Sequence, residues 1–252
     1  QGDLTLLRGM ISGGHPLPVL CTSSYEDCWT LSAKAVEIAV KLRTPVILLT
    51  SKEEVMTQKS FDLTKLHKIE PIRQHYYNSD EPYKPYKPIE LIPEFLPVGQ
   101  KKHQVRLTAS THNQAGILMN TDEEAIANTV RLEEKVKKYL PEYTFYDYHT
   151  QSGAKNLVIA FGITAGAAKD AVAALNSMGI ITDLLIPKTM IPTPEKYISI
   201  ISKYQKAVVA EENINNQFSD MIFGTNKPSN HRFVAGIGKM ITPQQIIKEV
   251  QS

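Results

Sequence analysis

The stretch of residues 157–178, LVIAFGITAGAAKDAVAALNSM, indicates the fold more clearly than any other part of the sequence. Its first five residues are apolar without alternation, which is typical of a strand buried on both faces of a parallel sheet. An Ala-rich helix is predicted to follow over residues 165–178, with Gly179 ending it. A strand that leads directly into a helix is the repeating unit of a parallel α/β fold.

The same alternation continues through the rest of the chain. Strands are predicted at residues 180–186, 207–210 and 233–235, and helices at residues 194–203, 216–223 and 243–250. Thr193 and Thr242 stand at the expected N-caps of two of these helices, and a proline follows each of them. The alternation predicts a doubly wound parallel sheet over residues 155–252.

A strand, a helix and a second strand are predicted within residues 1–60. Residues 17–21 are prone to form a strand, and Ser24 with Asp27 resembles a capping box at the start of a helix. Apolar residues then recur along one helical face, at Cys28, Leu31, Ala35, Ile38 and Leu42. Residues 44–45 end the helix, and residues 46–49 form an apolar run that is typical of a buried parallel strand.

Residues 61–154 are interpreted as a connecting arm followed by a charged helix. Six of the 15 prolines fall within residues 61–104, so neither a helix nor a central strand is expected there. A flexible linker and a packed arm are both open, and the interleaved tyrosines favour packing because disordered linkers are poor in aromatic residues. The helix is predicted over residues 121–140, with Thr121 and Glu124 as a capping box and Pro141 at its end.

The composition excludes several classes of protein. The 252 residues carry 28 Lys and Arg against 26 Asp and Glu, and a net charge of +2 excludes a strongly basic nucleic-acid binder. With 42% hydrophobic residues the chain is not disordered, and no apolar run approaches the ~20 residues of a membrane span. Cys21 and Cys28 form no Cys-x-x-Cys pair, so neither a metal site nor an iron–sulfur site is expected. Two lone cysteines in a chain of this size suit a reducing compartment.

Three features of the sequence are candidates for a functional site. Residues 162–166 join a strand to a helix, and a phosphate or a nucleotide could bind at such a place. A tight turn capped by a threonine is favoured instead, because Thr164 stands where the dinucleotide-binding motif has its second glycine. Glu211 and Glu212 end a strand, and they are expected to face solvent or a partner because burying both is costly. Seven histidines are scattered, and His112 is expected at a surface or interface, with catalysis as the open alternative.

A set of short segments, in the right order along the chain, resembles one family. The N-terminal segments are Gln1-Gly2-Asp3-Leu4, Gly13-Gly14-His15, Ser23-Ser24-Tyr25-Glu26-Asp27-Cys28 and Arg43-Thr44-Pro45-Val46-Ile47-Leu48-Leu49. The later segments are Thr111-His112-Asn113, residues 186–194, Glu212-Asn213 with Gln217, and residues 238–243. Together they resemble the α subunit of thiamine-dependent 2-oxoacid:ferredoxin oxidoreductases.

The resemblance implies a division of the chain and a set of partners. Residues 1–60 would be the end of a pyrimidine-type thiamine diphosphate domain, residues 61–154 the arm and the charged helix, and residues 155–252 a domain similar to the C-terminal domain of transketolase. Thiamine diphosphate and Mg²⁺ would be held with a β subunit, and partner subunits would carry 4Fe–4S clusters. Further γ and δ subunits are an open alternative, and the location would be the cytoplasm, without nucleic acid or membrane.

The resemblance also implies an activity. The complex would convert a 2-oxoacid and coenzyme A to an acyl-CoA and carbon dioxide and pass electrons to ferredoxin, and the arm and residues 111–131 favour 2-oxoglutarate or a branched-chain 2-oxoacid over pyruvate. The family's catalytic residues lie upstream of Gly2 and Asp3, so none is assigned here, and these two residues are expected at the edge of the cofactor site. A non-catalytic assembly module and a nucleotide-binding α/β enzyme are the alternatives.

Overall fold

The computed structural model describes residues 2–252, so Gln1 of the N-terminal segment lies outside the described residues. The first elements are α1 (Leu4–Arg8), β1 (Val19–Cys21), α2 (Tyr25–Leu42), β2 (Ile47–Leu49), α3 (Lys52–Met56), β3 (Pro88–Ile89), β4 (Ile92–Pro93) and α4 (Glu123–Tyr139). The later elements are β5 (Tyr146–His149), β6 (Asn156–Ala160), α5 (Thr164–Ser177), β7 (Thr182–Pro187), β8 (Thr189–Ile191), α6 (Glu195–Ile201), β9 (Lys206–Glu211), α7 (Gln217–Phe223), β10 (His231–Ala235) and α8 (Pro243–Gln251).

The larger sheet confirms the α/β prediction. Its strand order is β10-β9-β6-β7-β5, and the first four strands are parallel. The edge strand β5 runs antiparallel to β7 and was not predicted. Its sequence, Tyr-Asp-Tyr-His, is short and half polar, which suits an edge strand that is only partly buried.

Helices cover both faces of this sheet, as a doubly wound fold requires. Alternate residues of β6 point to opposite faces. Val158 and Ala160 belong to a hydrophobic cluster with residues of α5 and α8. Leu157 and Ile159 belong to a second cluster with residues of α6 and α7. Both faces are therefore buried, which explains the unbroken apolar run in this strand.

A smaller sheet joins the first two strands to a strand from the C-terminal half of the chain. The strand order is β2-β1-β8, in which β1 and β2 are parallel and β8 is antiparallel to β1. Strand β8 follows β7 after a single residue, Lys188, so the chain leaves the larger sheet and enters the smaller one. The sequence did not predict β8, because its three residues lie within a proline-containing turn. This crossing places the carboxyl end of β1 beside the larger sheet.

Part of the proline- and tyrosine-rich arm packs on the protein. The Tyr83 side chain is buried and donates a hydrogen bond to the Glu94 carbonyl at 2.8 Å. Arg43, which ends α2, donates to the same carbonyl at 2.5 Å and to the Pro85 carbonyl at 3.2 Å. Residues 67–73, by contrast, are exposed. The packed alternative therefore holds for the second half of the arm.

The helix caps correct two predictions. Ser24 caps α2 and Thr242 caps α8, as predicted. Thr121 does not cap α4; the N-cap residue is Asp122, and its side chain makes no capping bond. Thr193 does not cap α6 either, because its hydroxyl donates to the Met190 carbonyl at 3.0 Å and α6 begins one residue later than expected.

None of the helices within residues 2–252 combines the length and the apolar character that a membrane-spanning segment needs.

Candidate functional site

The carboxyl ends of strands from both sheets meet at one place, which we call the junction. It comprises residues 2–5, Ser23 shortly after β1, Gly162 shortly after β6, and residues 211–217, which begin with the last residue of β9. The Ser23 hydroxyl accepts a hydrogen bond from the Gly162 backbone N–H at 2.9 Å, which links the two sheets. Because ligands of open α/β sheets bind outside the carboxyl ends of the strands, the junction is the candidate site.

Gly2 and Asp3, the predicted edge of the cofactor site, lie in the junction. Both are exposed, and Asp3 directly precedes α1. The Gly2 carbonyl accepts a hydrogen bond from Gln217 Nε2 at 3.0 Å, and the Thr5 backbone N–H donates to Gln217 Oε1 at 3.1 Å. The sequence had placed Gln217 in a family motif without indicating this contact. Whether Gly2 and Asp3 border a cofactor stays a prediction.

Glu211 corrects the expectation that the two adjacent glutamates face solvent or a partner. Its side chain is fully buried. Its carboxylate accepts hydrogen bonds from the Phe218 N–H at 2.9 Å, the Ser219 N–H at 3.2 Å and the Asn213 side-chain amide at 2.7 Å. Burial raises the pKa of Glu211 above its ordinary value, against the lowering effect of these hydrogen bonds. The carboxylate therefore serves as the N-terminal cap of α7.

Glu212 is only partly buried and has a different partner. Its carboxylate accepts a hydrogen bond from the Ile241 backbone N–H at 3.1 Å. This bond ties the end of β9 to the loop that follows β10. The two carboxylates thus bind different backbone groups, and only Glu211 is fully buried, where its hydrogen bonds offset part of the cost of burial.

Residues 162–166 form the tight strand-to-helix turn that was favoured over a nucleotide site. Gly162 has a φ of +58°, which suits a glycine, and its N–H is already bonded to Ser23. Thr164 is the first residue of α5 and does not act as the expected cap; its buried hydroxyl has no hydrogen-bond partner within residues 2–252. The turn is therefore used to join the two sheets.

A buried ion pair lies close to the junction. Asp27 accepts a hydrogen bond from the Ser23 backbone N–H at 3.0 Å, and its other carboxylate oxygen lies 2.7 Å from Lys188 Nζ. Lys188 also contacts Asp147 at 2.8 Å. Burial acts to lower the pKa of Lys188, but the hydrogen bonds to Asp147 and Asp27 raise it above its ordinary value. The ammonium group therefore stays charged and holds α2, β5 and the β7–β8 link together.

The structure places His112 away from the junction. Its Nδ1 accepts a hydrogen bond from the Asn128 side-chain amide at 3.0 Å, and its ring stacks on Tyr86 with a centroid distance of 3.5 Å. Arg131 donates to the oxygen of the same Asn128 amide at 2.6 Å. Burial lowers the pKa of His112. These contacts attach the arm to α4 within the chain, and whether His112 also meets a partner stays a prediction.

The described residues do not form a complete site for the cofactors that the resemblance implies. Within residues 2–252 no three His, Cys, Asp or Glu side chains are grouped as a metal site requires. Cys21 is buried, and burial raises the pKa of its thiol to about 12, which disfavours the thiolate that a cluster needs. Glu54, the other buried glutamate besides Glu211, is already occupied by the Thr22 hydroxyl at 2.9 Å. We therefore assign no chemical step to a cofactor on these residues.

A cavity lies elsewhere, between α2 and residues 67–75 of the arm. It has a volume of about 830 Å³ and is lined by apolar residues such as Ile69 and Ile72 with basic side chains such as Arg43 and Arg73. Beside it, Arg43, Arg131 and Lys135 bring three cations together, and Lys135 donates to the Arg43 carbonyl at 3.3 Å. Burial and these neighbours lower the pKa of Lys135 to about 7. The basic cluster was not predicted.

Two families match the chain. The family described as "Pyruvate flavodoxin/ferredoxin oxidoreductase, thiamine diP-bdg" matches residues 1–135. The family described as "Pyruvate:ferredoxin oxidoreductase core domain II" matches residues 154–246. The junction draws residues from both matched segments.

Curated relatives are about a quarter identical to the chain over the aligned residues. It is 27% identical to the 2-oxoglutarate synthase subunit KorA of Archaeoglobus fulgidus, over 84% of the chain and 54% of the relative. It is 24% identical to the protein of the same name from Methanocaldococcus jannaschii, over 88% and 59%. It is 27% identical to the ketoisovalerate oxidoreductase subunit VorB of Methanothermobacter thermautotrophicus, over 79% and 49%. The chain thus spans about half the length of the curated relatives it matches.

A solved structure shares the fold. It is the 2-oxoglutarate:ferredoxin oxidoreductase from Magnetococcus marinus, with a TM-score of 0.87 and 22% sequence identity. The superposition covers 100% of this chain and 44% of that one. At this identity the likeness concerns the fold, and it extends over both sheets and the arm.

Proposed function

We infer, because this chain belongs to the thiamine-diphosphate-binding family of pyruvate flavodoxin/ferredoxin oxidoreductases, that it is a subunit of an enzyme that oxidatively decarboxylates a 2-oxoacid. The match over residues 1–135, more than half of the chain, is the observation that carries this proposal. In the overall reaction a 2-oxoacid and coenzyme A give an acyl-CoA, carbon dioxide, a proton and two electrons. Ferredoxin is the proposed acceptor of the electrons.

We propose 2-oxoglutarate as the substrate. Two of the relatives described above are named 2-oxoglutarate synthase subunits, and one is named a ketoisovalerate oxidoreductase subunit. A branched-chain 2-oxoacid is therefore the second candidate. The two differ by the second carboxylate of 2-oxoglutarate, so a substrate panel separates them directly.

A β subunit is proposed to complete the site. The described residues offer neither a metal-ligand group nor a free buried carboxylate, so thiamine diphosphate, Mg²⁺ and a 4Fe–4S cluster would depend on other residues for their main contacts. The β subunit is proposed to supply the diphosphate site and the cluster. Gly2 and Asp3 would border the cofactor from this chain, at the exposed edge of the junction. Further γ or δ subunits remain part of the proposal. The cysteines Cys21 and Cys28 are free, which suits a cytoplasmic location.

A non-catalytic assembly module is the second candidate function. Exposed apolar side chains lie on α1 and next to α7: Leu6 is 68% exposed and Ile214 is 62% exposed. Because α1 and α7 contact each other, these side chains lie in one region, and a contiguous exposed apolar patch is typical of protein–protein contact. This role agrees with the same family and differs only in whether the complex turns over.

Composition of the native complex tests the proposal. The full-length natural protein is purified under anaerobic conditions with whatever binds it, and its subunits, iron and thiamine diphosphate are measured. We expect a second subunit, iron and sulfide in the ratio of a 4Fe–4S cluster, and about one thiamine diphosphate per subunit pair. A complex that contains a partner but no thiamine diphosphate, even after incubation with the cofactor and Mg²⁺, would favour the assembly module. A protein that runs alone would contradict both.

A further inference from the structure

The side chain of Gln217 binds backbone groups just before α1 and within its first turn. Gln217 Oε1 accepts a hydrogen bond from the Thr5 backbone N–H at 3.1 Å, across 212 residues of sequence. Gln217 Nε2 donates to the Gly2 carbonyl at 3.0 Å. The first N–H groups of a helix have no partner within the helix, and the Asp3 side chain makes no capping bond. Gln217 therefore supplies the cap that α1 lacks.

The position of Gln217 is itself fixed from the end of β9. Gln217 is the first residue of α7, and its backbone N–H donates to Asn213 Oδ1 at 3.1 Å. The next two N–H groups, of Phe218 and Ser219, both donate to the buried Glu211 carboxylate. The Asn213 amide donates to the same carboxylate at 2.7 Å. The first three backbone donors of α7 are thus satisfied, so the Gln217 side chain starts from an ordered backbone.

A hydrophobic contact fixes the same segment from the other side. Leu4 is fully buried and belongs to one cluster with Phe161 and Phe218. Thr5 follows Leu4 directly, so the buried side chain and the two hydrogen bonds of Gln217 restrain neighbouring backbone groups. Residues 2–5 are therefore held against the larger sheet by an apolar anchor and by a polar clamp.

We propose that Gln217 is a positioning residue of the enzyme, which fixes residues 2–5 at the edge of the reaction site. This inference rests on the proposed function, because it takes the junction as part of that site. It adds a specific link: the C-terminal half of the chain controls the geometry of the N-terminal segment through one amide side chain. A displacement of such a segment by about 1 Å can lower a rate by up to a hundredfold.

The test compares variants of the full-length protein in its native complex. In Gln217→Ala both hydrogen bonds are lost, whereas Gln217→Glu keeps the acceptor for Thr5 and loses the donor to Gly2. Gln244→Ala, at an exposed glutamine of α8, is the matched control. Hydrogen–deuterium exchange of residues 2–8 is measured together with the kcat and the KM for the 2-oxoacid at saturating cofactors.

In Gln217→Ala the backbone amide hydrogens of residues 2–8 should exchange at least about fivefold faster than in the wild type, because the hydrogen bond of the Thr5 N–H is lost. The amide hydrogens of β9 should exchange at the wild-type rate. The kcat should fall roughly tenfold with little change in the KM, and Gln217→Glu should recover part of both losses. The control should resemble the wild type. Gln217→Glu carries the comparison if Gln217→Ala does not assemble.

Two results would overturn the inference, and they differ from a failure of the proposed function. Unchanged exchange of residues 2–8 in Gln217→Ala would show that the clamp does not restrain the segment. Faster exchange with an unchanged kcat would show that the clamp is structural only. A wild-type complex that oxidises no 2-oxoacid overturns the proposed function and with it the kinetic role of Gln217, whereas the exchange data still decide the clamp.

Discussion

Lys188 lies 2.7 Å from Asp27 in a buried ion pair, although the two residues are 161 positions apart in the chain. The pair connects the start of α2 with the link between the two sheets. Replacing Lys188 by Met should lower the free energy of unfolding by about 3 kcal/mol, because the Asp27 carboxylate would remain buried without its counter-charge. Urea denaturation of the purified protein measures this change.

The exposed pair of Lys34 and Glu37 provides the control for the Lys188 variant. Its side chains are nearly half exposed, so Lys34→Met should change the free energy of unfolding by less than about 1 kcal/mol. The double variant Asp27→Asn with Lys188→Met should regain part of the stability, since the buried position 27 no longer carries a charge and the carboxylate left without Lys188, that of Asp147, is more exposed. A loss in Lys188→Met no larger than in Lys34→Met would contradict the structural role of the pair.

Glu211→Ala should destabilise the protein by about 2 kcal/mol. The substitution leaves the backbone N–H groups of Phe218 and Ser219 buried without acceptors, and each unsatisfied donor carries a desolvation cost. Glu195→Ala, at an exposed position in the first turn of α6, should have little effect. Thermal unfolding of both variants makes the comparison, and equal melting temperatures would rule out the capping role of Glu211.

The doubly wound domain was predictable because its parallel strands contain apolar runs that alternate with helical patterns, whereas the half-polar edge strand β5 was missed. The capping of α7 by Glu211 was not predictable, because nothing in the sequence indicates that this carboxylate binds the first N–H groups of the helix. Strand β8 was missed for a related reason: its partner β1 lies about 170 residues earlier, and three residues give no periodicity. Contacts between distant segments, such as Ser23 with Gly162, depend on how the two sheets pack.

The candidate site was only partly predictable. The resemblance directed attention to Gly2 and Asp3, and it placed Gln217 within a motif. The contact between Gln217 and residues 2–5 appears only when α1 packs on α7, because the motif residues themselves show no pairing. The basic cluster around Lys135 was hidden for the same physical reason: its members lie on α2 and α4, separated by the arm.

His231 should make the protein sensitive to acid. Burial and the nearby cations Lys227 and Arg232 lower its pKa from 6.5 to about 4. Between these values the unfolded chain binds a proton that the folded chain does not, so the free energy of unfolding should fall as the pH is lowered from 6.5 to 4. In His231→Phe this part of the pH dependence should disappear. The substitution also removes the contact between His231 and Ser219.

Denaturation curves at several pH values test the role of His231. The exposed His149 on β5 offers a matched control, since His149→Phe should keep the acid dependence of the wild type. If His231→Phe and the wild type lose stability in parallel between pH 6.5 and 4, another group is responsible.

Lys135 should make the free energy of unfolding depend on pH in the alkaline range. Its pKa falls from 10.5 to about 7 in the folded protein, chiefly because it is buried. The unfolded chain therefore binds more protons between these values, and stability should rise as the pH is raised from 7 towards 10.5. Lys135→Met should remove this rise and should be at least as stable as the wild type at pH 7, because no charge has to be buried.

The control for Lys135 lies on the same helix. Lys138 is exposed, so Lys138→Met should leave the alkaline dependence unchanged. A clear loss of stability in Lys135→Met at pH 7 would instead show that the charged form of Lys135, through its bond to the Arg43 carbonyl, supports the end of α2.

The reduction of ferredoxin by a 2-oxoacid tests the central claim most directly. The native complex of the full-length protein is assayed anaerobically with 2-oxoglutarate, 2-oxoisovalerate or pyruvate, each with and without coenzyme A. We expect reduction that depends on coenzyme A, with a kcat/KM for 2-oxoglutarate at least about tenfold above the other two, since one unpaired charge in a site is worth more than 1.4 kcal/mol. A complex that holds its cofactors and still reduces ferredoxin with none of these 2-oxoacids would contradict the proposed function.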